Sequence, residues 1–564
     1  MLVRSTLFLL SAFLGPFVVG QSLDVAVSES RVPHYAYPGR PVTIIGDITS
    51  HGITSVTSLQ LNYTIDDGPV QSMAITGLSL TQNSLYEFFH DAVWTPDTPG
   101  LYEVIVWVAA PNGQDDMVPE NDAATSIVRV LDPIPMIIDQ YLSGEPVVEM
   151  IADQGQDLLV PRDLAFHPDP DRDELWVVNK DVNTTGGSTV RFFGAGEEGM
   201  TWLWQRDPNA WHFMSLPTAI AFGDNNNFAT SPGIFNANQS GEVPFTGPSL
   251  WDSDPQVYAQ AGFGPLGSHI DMLHVNPRCQ GIAHDTWNRY WVVDGHNGDI
   301  TMNDFRKDHG PGNSWHGDAI IRRYSEFTIS RDMDDHIVSH NVLDKNTGWL
   351  YVVDHGGQRI MRLDINSGVV SGPGNFGPWE SYEEYSMVSG YTWEEIISDG
   401  LVQPSGIEVI GERLLVSDHA TGEIVIYDLS SPQFTELGRI ATGAPGIMGI
   451  TVGPDGRIWY VNATLHQLGR VTPDETVGIQ EQAPASTFLV HPNPAEAFVV
   501  VPVSEGLDPM DMVEIRDLAG RVLRIVQVAE LHRGLDISHL PNGTYMLTMP
   551  EDRAGRSARF VVSR

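Results

Sequence analysis

Three times the chain ends an apolar run on aspartate and sets a histidine in the polar turn behind it: WVVDGHNGDI (291–300), YVVDHGGQRI (351–360) and LVSDHATGEI (415–424). These histidines are His296, His355 and His419. Others gather close by in sequence, with His340 in VSHNV and His269, His274 and Cys279 in GSHIDMLHVNPRCQG, so that nine of the 19 histidines fall between 269 and 355. Neutral imidazole is a good donor to zinc or copper, and a thiolate makes such a set softer. His274, Cys279, His296, His340 and His355 therefore have the residue types of a transition-metal site. No close-spaced ligand pair accompanies them, so the site has to be assembled from separate segments. The same residues also read as structure: Asp294, Asp354 and Asp418 as turn caps, the following histidines as turn residues, and His340 as a hydrogen-bonded channel residue.

The repeat itself predicts the frame. Strand-turn-strand units recurring at this length indicate a ring or a solenoid. Six openings align: VPRDLAFHP (160–168), LPTAIAFGD (216–224), RCQGIAHD (278–285), VSHNVLDK (338–345), QPSGIEVIG (403–411) and GIMGITVGPDG (446–456). Each is followed by a second strand (ELWVVN, NFATS, RYWVVD, WLYVVD, RLLVSD, RIWYVN), and PVVEMIAD (146–153) supplies the last strand of the sixth unit. With the opening strands lining a central channel, the loops that enter them and the loops that leave the second strands share one face. That face receives His340, His296, His355, His419 and the 269–279 segment; His284, His309 and His316 go to the other.

The pattern in QPSGIEV with RLLVSDHATGEIVIYD, and in GWLYVVDHGGQRIMRLD, resembles the NHL-type six-bladed β-propeller, over residues 146–474. Peptidylglycine amidating lyases are propellers of the same kind, with metal-binding histidines on their first strands. Here His340 occupies that context, while Arg162, Thr218, Gln280, Ser405 and Met448 take the other five positions. IWYVNATLHQLGRVTP (458–473) is also similar to that family, through His466. The resemblance leaves two expectations: a ligand-binding or recognition propeller carrying a metal on its histidine-rich face, or a metal-dependent lyase or hydrolase. Arg162 at the first opening is a candidate for binding an anion, or for pairing with Asp163. Trp251 and Trp315, on long Gly/Pro/Asn-rich insertions (231–254 and 307–318), are candidates for stacking on a glycan. Trp202, Trp204 and Trp211 read as blade core.

The remaining segments give the organisation, all-β throughout. Residues 1–21 have the form of a secretory signal peptide. Alternating strands in 22–132 predict a sandwich, similar to Ig-like modules, with Asp115, Asp116, Glu120 and Asp122 as candidate calcium ligands. A connector (133–145) leads to the propeller, and 475–485 is a linker. STFLVHPNPA, VEIRDLAGRVLR and LDISHLPNGTYMLTM within 486–564 closely resemble the C-terminal sorting domain of the type IX secretion system of Bacteroidetes-like bacteria. That resemblance implies passage through the type IX machinery and an extracellular or outer-membrane-surface location. A net charge of −41, with Lys180, Lys307 and Lys345 as the only lysines, excludes nucleic acid and anionic membranes as partners. No later stretch reaches the ~20 apolar residues of a membrane span. The single cysteine precludes an internal disulfide.

Overall fold

The computed structural model describes residues 22–182, 185–240, 243–474, 490–502, 509–517, 521–549 and 557–564. The expected leader and the 475–485 linker lie outside the described residues. The chain forms two compact units, 1–474 and 475–564. No helix among the described residues is long and apolar enough to cross a membrane.

The first unit begins with two packed sheets. One holds Val25–Ser30, Ile45–Ser50 and Leu85–Phe89; the other runs in the order Tyr35–Ala36, Ala123–Val130, Gly100–Ala109, Val56–Ile65, Gln71–Leu80. Alternation along Gly100–Ala109 turns Val104, Val106 and Val108 inward, against Leu61, Ile48 and Phe88.

Six further sheets follow, and each of the six openings becomes the first strand of one: Pro161–Phe166, Pro217–Phe222, Cys279–His284, Asn341–Asp344, Pro404–Ile410 and Ile447–Val452. These first strands neighbour one another in a closed cycle, the sixth returning to the first. The sheets therefore form a β-propeller around a central axis. In the sixth sheet the outer strand is Val147–Ala152, paired antiparallel with Gln467–Thr472, so the two ends of the ring are held in one sheet. The third sheet carries an addition that alternation does not announce. A hairpin of Val369–Pro373 and Glu384–Ser389, inserted between the third and fourth strands of the fourth sheet, crosses to the third, where Glu384–Ser389 pairs parallel with Ile320–Tyr324.

The turn aspartates hold backbone. Asp294 accepts the N–H groups of His296 and Asn297, Asp354 those of Ser330 and Gly357, and Asp418 those of Ala420 and Thr421.

The second unit has a four-stranded antiparallel sheet, Val522–Gln527, Met512–Asp517, Gly543–Thr548 and Ser557–Val562, with a helix at Val528–Arg533. Its core includes Val513, Ile515, Leu547 and Phe560.

Candidate functional site

The face expected to be open is closed. Arg162, only 2% exposed, donates to the carbonyls of His336 (2.7 Å) and Asp335 (3.0 Å), and Asp335 in turn pairs with Arg278 and Arg331. Asp332 accepts the N–H groups of His336 and Ile337, so the segment leading into the fourth sheet is tied down across the axis. Arg162 is thus committed to backbone oxygens. It neither presents itself to a ligand nor pairs with Asp163.

Nor are the five metal candidates brought together. His340 and His355 do approach each other, their Nδ1–H groups donating to the consecutive carbonyls of Ser405 (3.2 Å) and Pro404 (3.1 Å). Cys279 is fully buried, its thiol donating to the Asn276 carbonyl, and burial pushes its pKa up, which disfavours the thiolate. His296 is exposed beside Phe235 and Phe376. His274 stacks on Phe245 and bonds Glu380 at 2.6 Å. Among the described residues no group of three or more His, Cys, Asp or Glu is placed to hold a metal ion. In the sandwich, Asp115 and Glu120 are exposed, and Asp116 spends both oxygens on the N–H groups of Val25 and Val118. Burial, with Asp116, Asp24 and Glu120 nearby, raises the Asp122 carboxyl to about 6.

The tryptophans exchange places. Trp251 is wholly buried, its indole N–H on the Thr230 hydroxyl, so it is core. Trp315 is exposed and sits edge-on to His309. Trp202 and Trp204 lie on the surface because Thr201–Gln205 is the outer strand of its sheet, and Trp211 is exposed on the short helix Ala210–Phe213.

The open mouth is on the opposite face, where the sandwich sits over the propeller. Between them lies a chamber of 1410 Å³, walled by Tyr35, Tyr37, Arg40 and Thr43 from the sandwich and by residues in or just after the six first strands, including Phe166, Asp224, His284, Lys345 and Glu408. It continues into the axial channel, a narrower space of 180 Å³ that shares Ala165, His284, Leu343, Glu408 and Thr451 with it. The sandwich is seated by His34 N–H on the Asp224 carbonyl (2.7 Å), Tyr35 hydroxyl on Asn226 (2.8 Å) and ion pairs Arg306–Glu87, Lys307–Asp47 and Arg129–Asp169.

Charge is arranged in depth along this space. In the channel, burial raises Asp163 to about 8 despite the N–H of Ile220 on one of its oxygens. Burial also lowers His340 to about 4. With Nδ1 donating to Ser405, the Nε2 of His340 is a buried acceptor without a hydrogen-bond partner, 3.8 Å from the other Asp163 oxygen. At neutral pH the proton therefore rests on Asp163, facing an imidazole lone pair. Glu408, also raised by burial, stands where channel meets chamber, accepting Val409 N–H and the Thr451 hydroxyl. On the chamber wall the Lys345 ammonium donates to Nδ1 of His284 at 2.7 Å, and the other nitrogen of that ring to the Trp287 carbonyl at 3.0 Å. Lys345 was visible in sequence as one of three lysines, closing the fourth opening, but nothing in the spacing announced the sandwich wall it faces.

Comparisons with known proteins assign one part of the chain. Residues 489–563 match the secretion system C-terminal sorting domain. The protein is a secreted one. No curated protein matches the sequence. Among solved structures, a Bacteroides thetaiotaomicron protein of unknown function is similar at 10% identity and TM-score 0.37, over 82% of this chain and all of that one. An auxiliary nutrient binding protein from Bacteroides ovatus is similar at 12% identity and TM-score 0.37, over 79% and 99%. A streptogramin B lyase is similar at 11% identity and TM-score 0.34, over 58% and 98%. At such TM-scores these likenesses carry no argument about function.

Proposed function

We propose that this protein is a recognition module of the cell surface, an NHL-like six-bladed propeller exported by type IX machinery, which holds its ligand in the chamber between sandwich and propeller. The observation that carries the reading is the chamber itself. It is concave, bounded by two packed domains, continuous with the channel, and lined by aromatic side chains together with polar and charged ones, the combination expected of a ligand site between domains. Its 1410 Å³ exceeds the usual few hundred Å³ of a small-molecule pocket, which suits an extended ligand such as an oligosaccharide or peptide. The opposite mouth, sealed by Arg162 and the segment it holds, leaves the chamber as the approach to the channel. Glycan and peptide arrays probed with the mature full-length protein and with Thr43→Trp test the reading, since Thr43 is an exposed chamber residue and an indole there occupies the space. A ligand captured by the wild type and lost by Thr43→Trp is the expected result; equal capture by both proteins refutes the chamber as the site.

A further inference from the structure

Four cations line the chamber, and they fall into two classes. Arg129 pairs with Asp169 and Asp171, and Arg289 with Asp304. Arg40 and Lys345 have no carboxylate within ion-pairing distance among the described residues. In a chain of 72 acidic and 31 basic residues, two neighbouring cations left without a counter-ion are a departure that calls for a reason. The guanidinium of Arg40 lies over the Tyr37 ring at 4.7 Å and donates through Nε to Asn346 at 2.9 Å, leaving both terminal nitrogens without a hydrogen-bond partner. Lys345 is exposed to the chamber, and its one hydrogen bond is to His284. Asp224 accepts the Trp287 N–H (3.0 Å) and Asp285 the Trp291 indole N–H (3.0 Å), and neither forms an ion pair with Lys345. Enclosure lowers the Lys345 pKa, with Asp224 and Asp285 opposing that shift and Arg40 reinforcing it, so the two cations sense each other.

We infer that Arg40 and Lys345 form an oxyanion subsite, and that the chamber's ligand is an acidic oligosaccharide whose carboxylate or sulfate group binds between them. The inference rests on the chamber being the binding site. The free edge of Arg40 presents two parallel N–H groups, the geometry that grips a carboxylate or sulfate bidentately, while Lys345 adds a point charge from the facing domain. The exposed or half-exposed hydroxyls and amides of Thr43, Asn346 and Thr347 beside the Tyr37 ring suit sugar hydroxyls and sugar ring faces. Because one cation comes from each domain, an anion between them also joins sandwich to propeller.

The test is equilibrium binding of four probes to the mature full-length protein: tri-galacturonate, its methyl ester, a κ-carrageenan tetrasaccharide whose only acid is sulfate, and an acidic hexapeptide. Wild type is expected to prefer one of the two acidic saccharides over the ester by about tenfold or more, and Arg40→Gln or Lys345→Met to lose about tenfold each together with that preference. Which acid binds better separates carboxylate from sulfate. Neither substitution removes an ion pair and each removes one side-chain hydrogen bond, so both variants are expected to melt cooperatively and within a few degrees of the wild type, which separates a binding defect from misfolding. The inference is overturned by a wild type that binds neither acid, that binds the ester equally well, or that prefers the peptide, and by variants that retain the preference. Thr43→Trp distinguishes the two levels. If it blocks binding while Arg40→Gln and Lys345→Met change nothing, the chamber stands and the subsite falls; if it leaves binding intact, the chamber reading itself falls.

Discussion

A carboxyl group protonated near neutral pH, set against a neutral imidazole, makes the channel a pH-dependent element of the fold. Asp163 has a folded pKa of about 8 against an ordinary 3.8. A raised folded pKa means that the folded chain holds a proton which the unfolded chain releases, so this contribution to stability is complete below about pH 4 and is lost as pH rises through about 8. Asp163→Asn keeps an acceptor for Ile220 N–H, supplies an N–H for His340, and cannot ionise. Thermal melts of this variant are expected to match wild type near pH 4 and to exceed it by several degrees at pH 8–9, on the scale of about 1–1.5 °C per kcal/mol for a unit of this size. A variant that melts lower than wild type at pH 9 contradicts the assignment of the proton to Asp163. Much at this scale is legible in the sequence: Asp294, Asp354 and Asp418 read as caps, because an aspartate before a polar turn finds backbone N–H groups two and three residues on. Arg162 and Trp251 could not be read, since whether a side chain at a strand end meets solvent depends on which loop crosses over it. Lys345 and His284 were conspicuous as residue types, but their partner Arg40 lies about 300 positions away on another domain.

The hairpin of Val369–Pro373 and Glu384–Ser389 is the element that most alters its surroundings. Between its strands runs 374–383, which delivers Glu380 to His274 and His316, while His316 reaches Asp271 at 3.1 Å. Burial alone would lower His316, but hydrogen bonds and charge from Asp271 and Glu380 raise it to about 10. Burial would likewise raise Glu380, yet hydrogen bonds from the two imidazoles bring it down to about 2. The His316 contribution is fully present below its ordinary 6.5 and fades as pH climbs through about 10; that of Glu380 is present above its ordinary 4.5 and fades as pH falls through about 2. The strap is thus fastened across the whole range in which a secreted protein works. Glu380→Gln is expected to cost about 1–3 kcal/mol, as for a charge-assisted hydrogen bond, and to speed amide exchange in 374–383 well above that of the neighbouring sheets. Unchanged exchange there would mean that the hairpin strands alone hold the segment. The six opening strands were legible because small and branched apolar residues recur at fixed positions in each. The hairpin was not, because it joins a neighbouring sheet in parallel register and sequence periodicity carries no record of which sheet a strand joins. Gln71–Leu80 is faint in the sequence for another reason: its residues are mostly exposed, so it lacks the alternation that marks a half-buried strand.

At the scale of the molecule, an address is attached to a propeller body. The sorting domain is a compact unit with its own core, and the propeller's closing strand comes from 147–152, so a chain ending at 474 retains every sheet of the first unit. Such a chain is expected to melt as the first unit does within the full protein but to remain inside the cell envelope, as measured by fractionation of producing cells; its appearance outside would show that export does not depend on 489–563. The ring has a further consequence, for the order of events as the chain folds. Arg470 meets Glu149 across 321 positions of sequence, and that pairing belongs to the strand couple that shuts the circle. Contacts of such separation form late, after nearly the entire body has been synthesised. Until then Val147–Ala152 and Gln467–Thr472 are bare edges, each able to pair with a strand from another molecule. The sandwich just upstream of Val147 is by then able to fold from local pairings, leaving the strand that completes the circle tethered beside a finished domain while the sixth sheet is made. A nascent chain is most vulnerable to aggregation in this interval, and a chaperone that shields an exposed strand edge would act there.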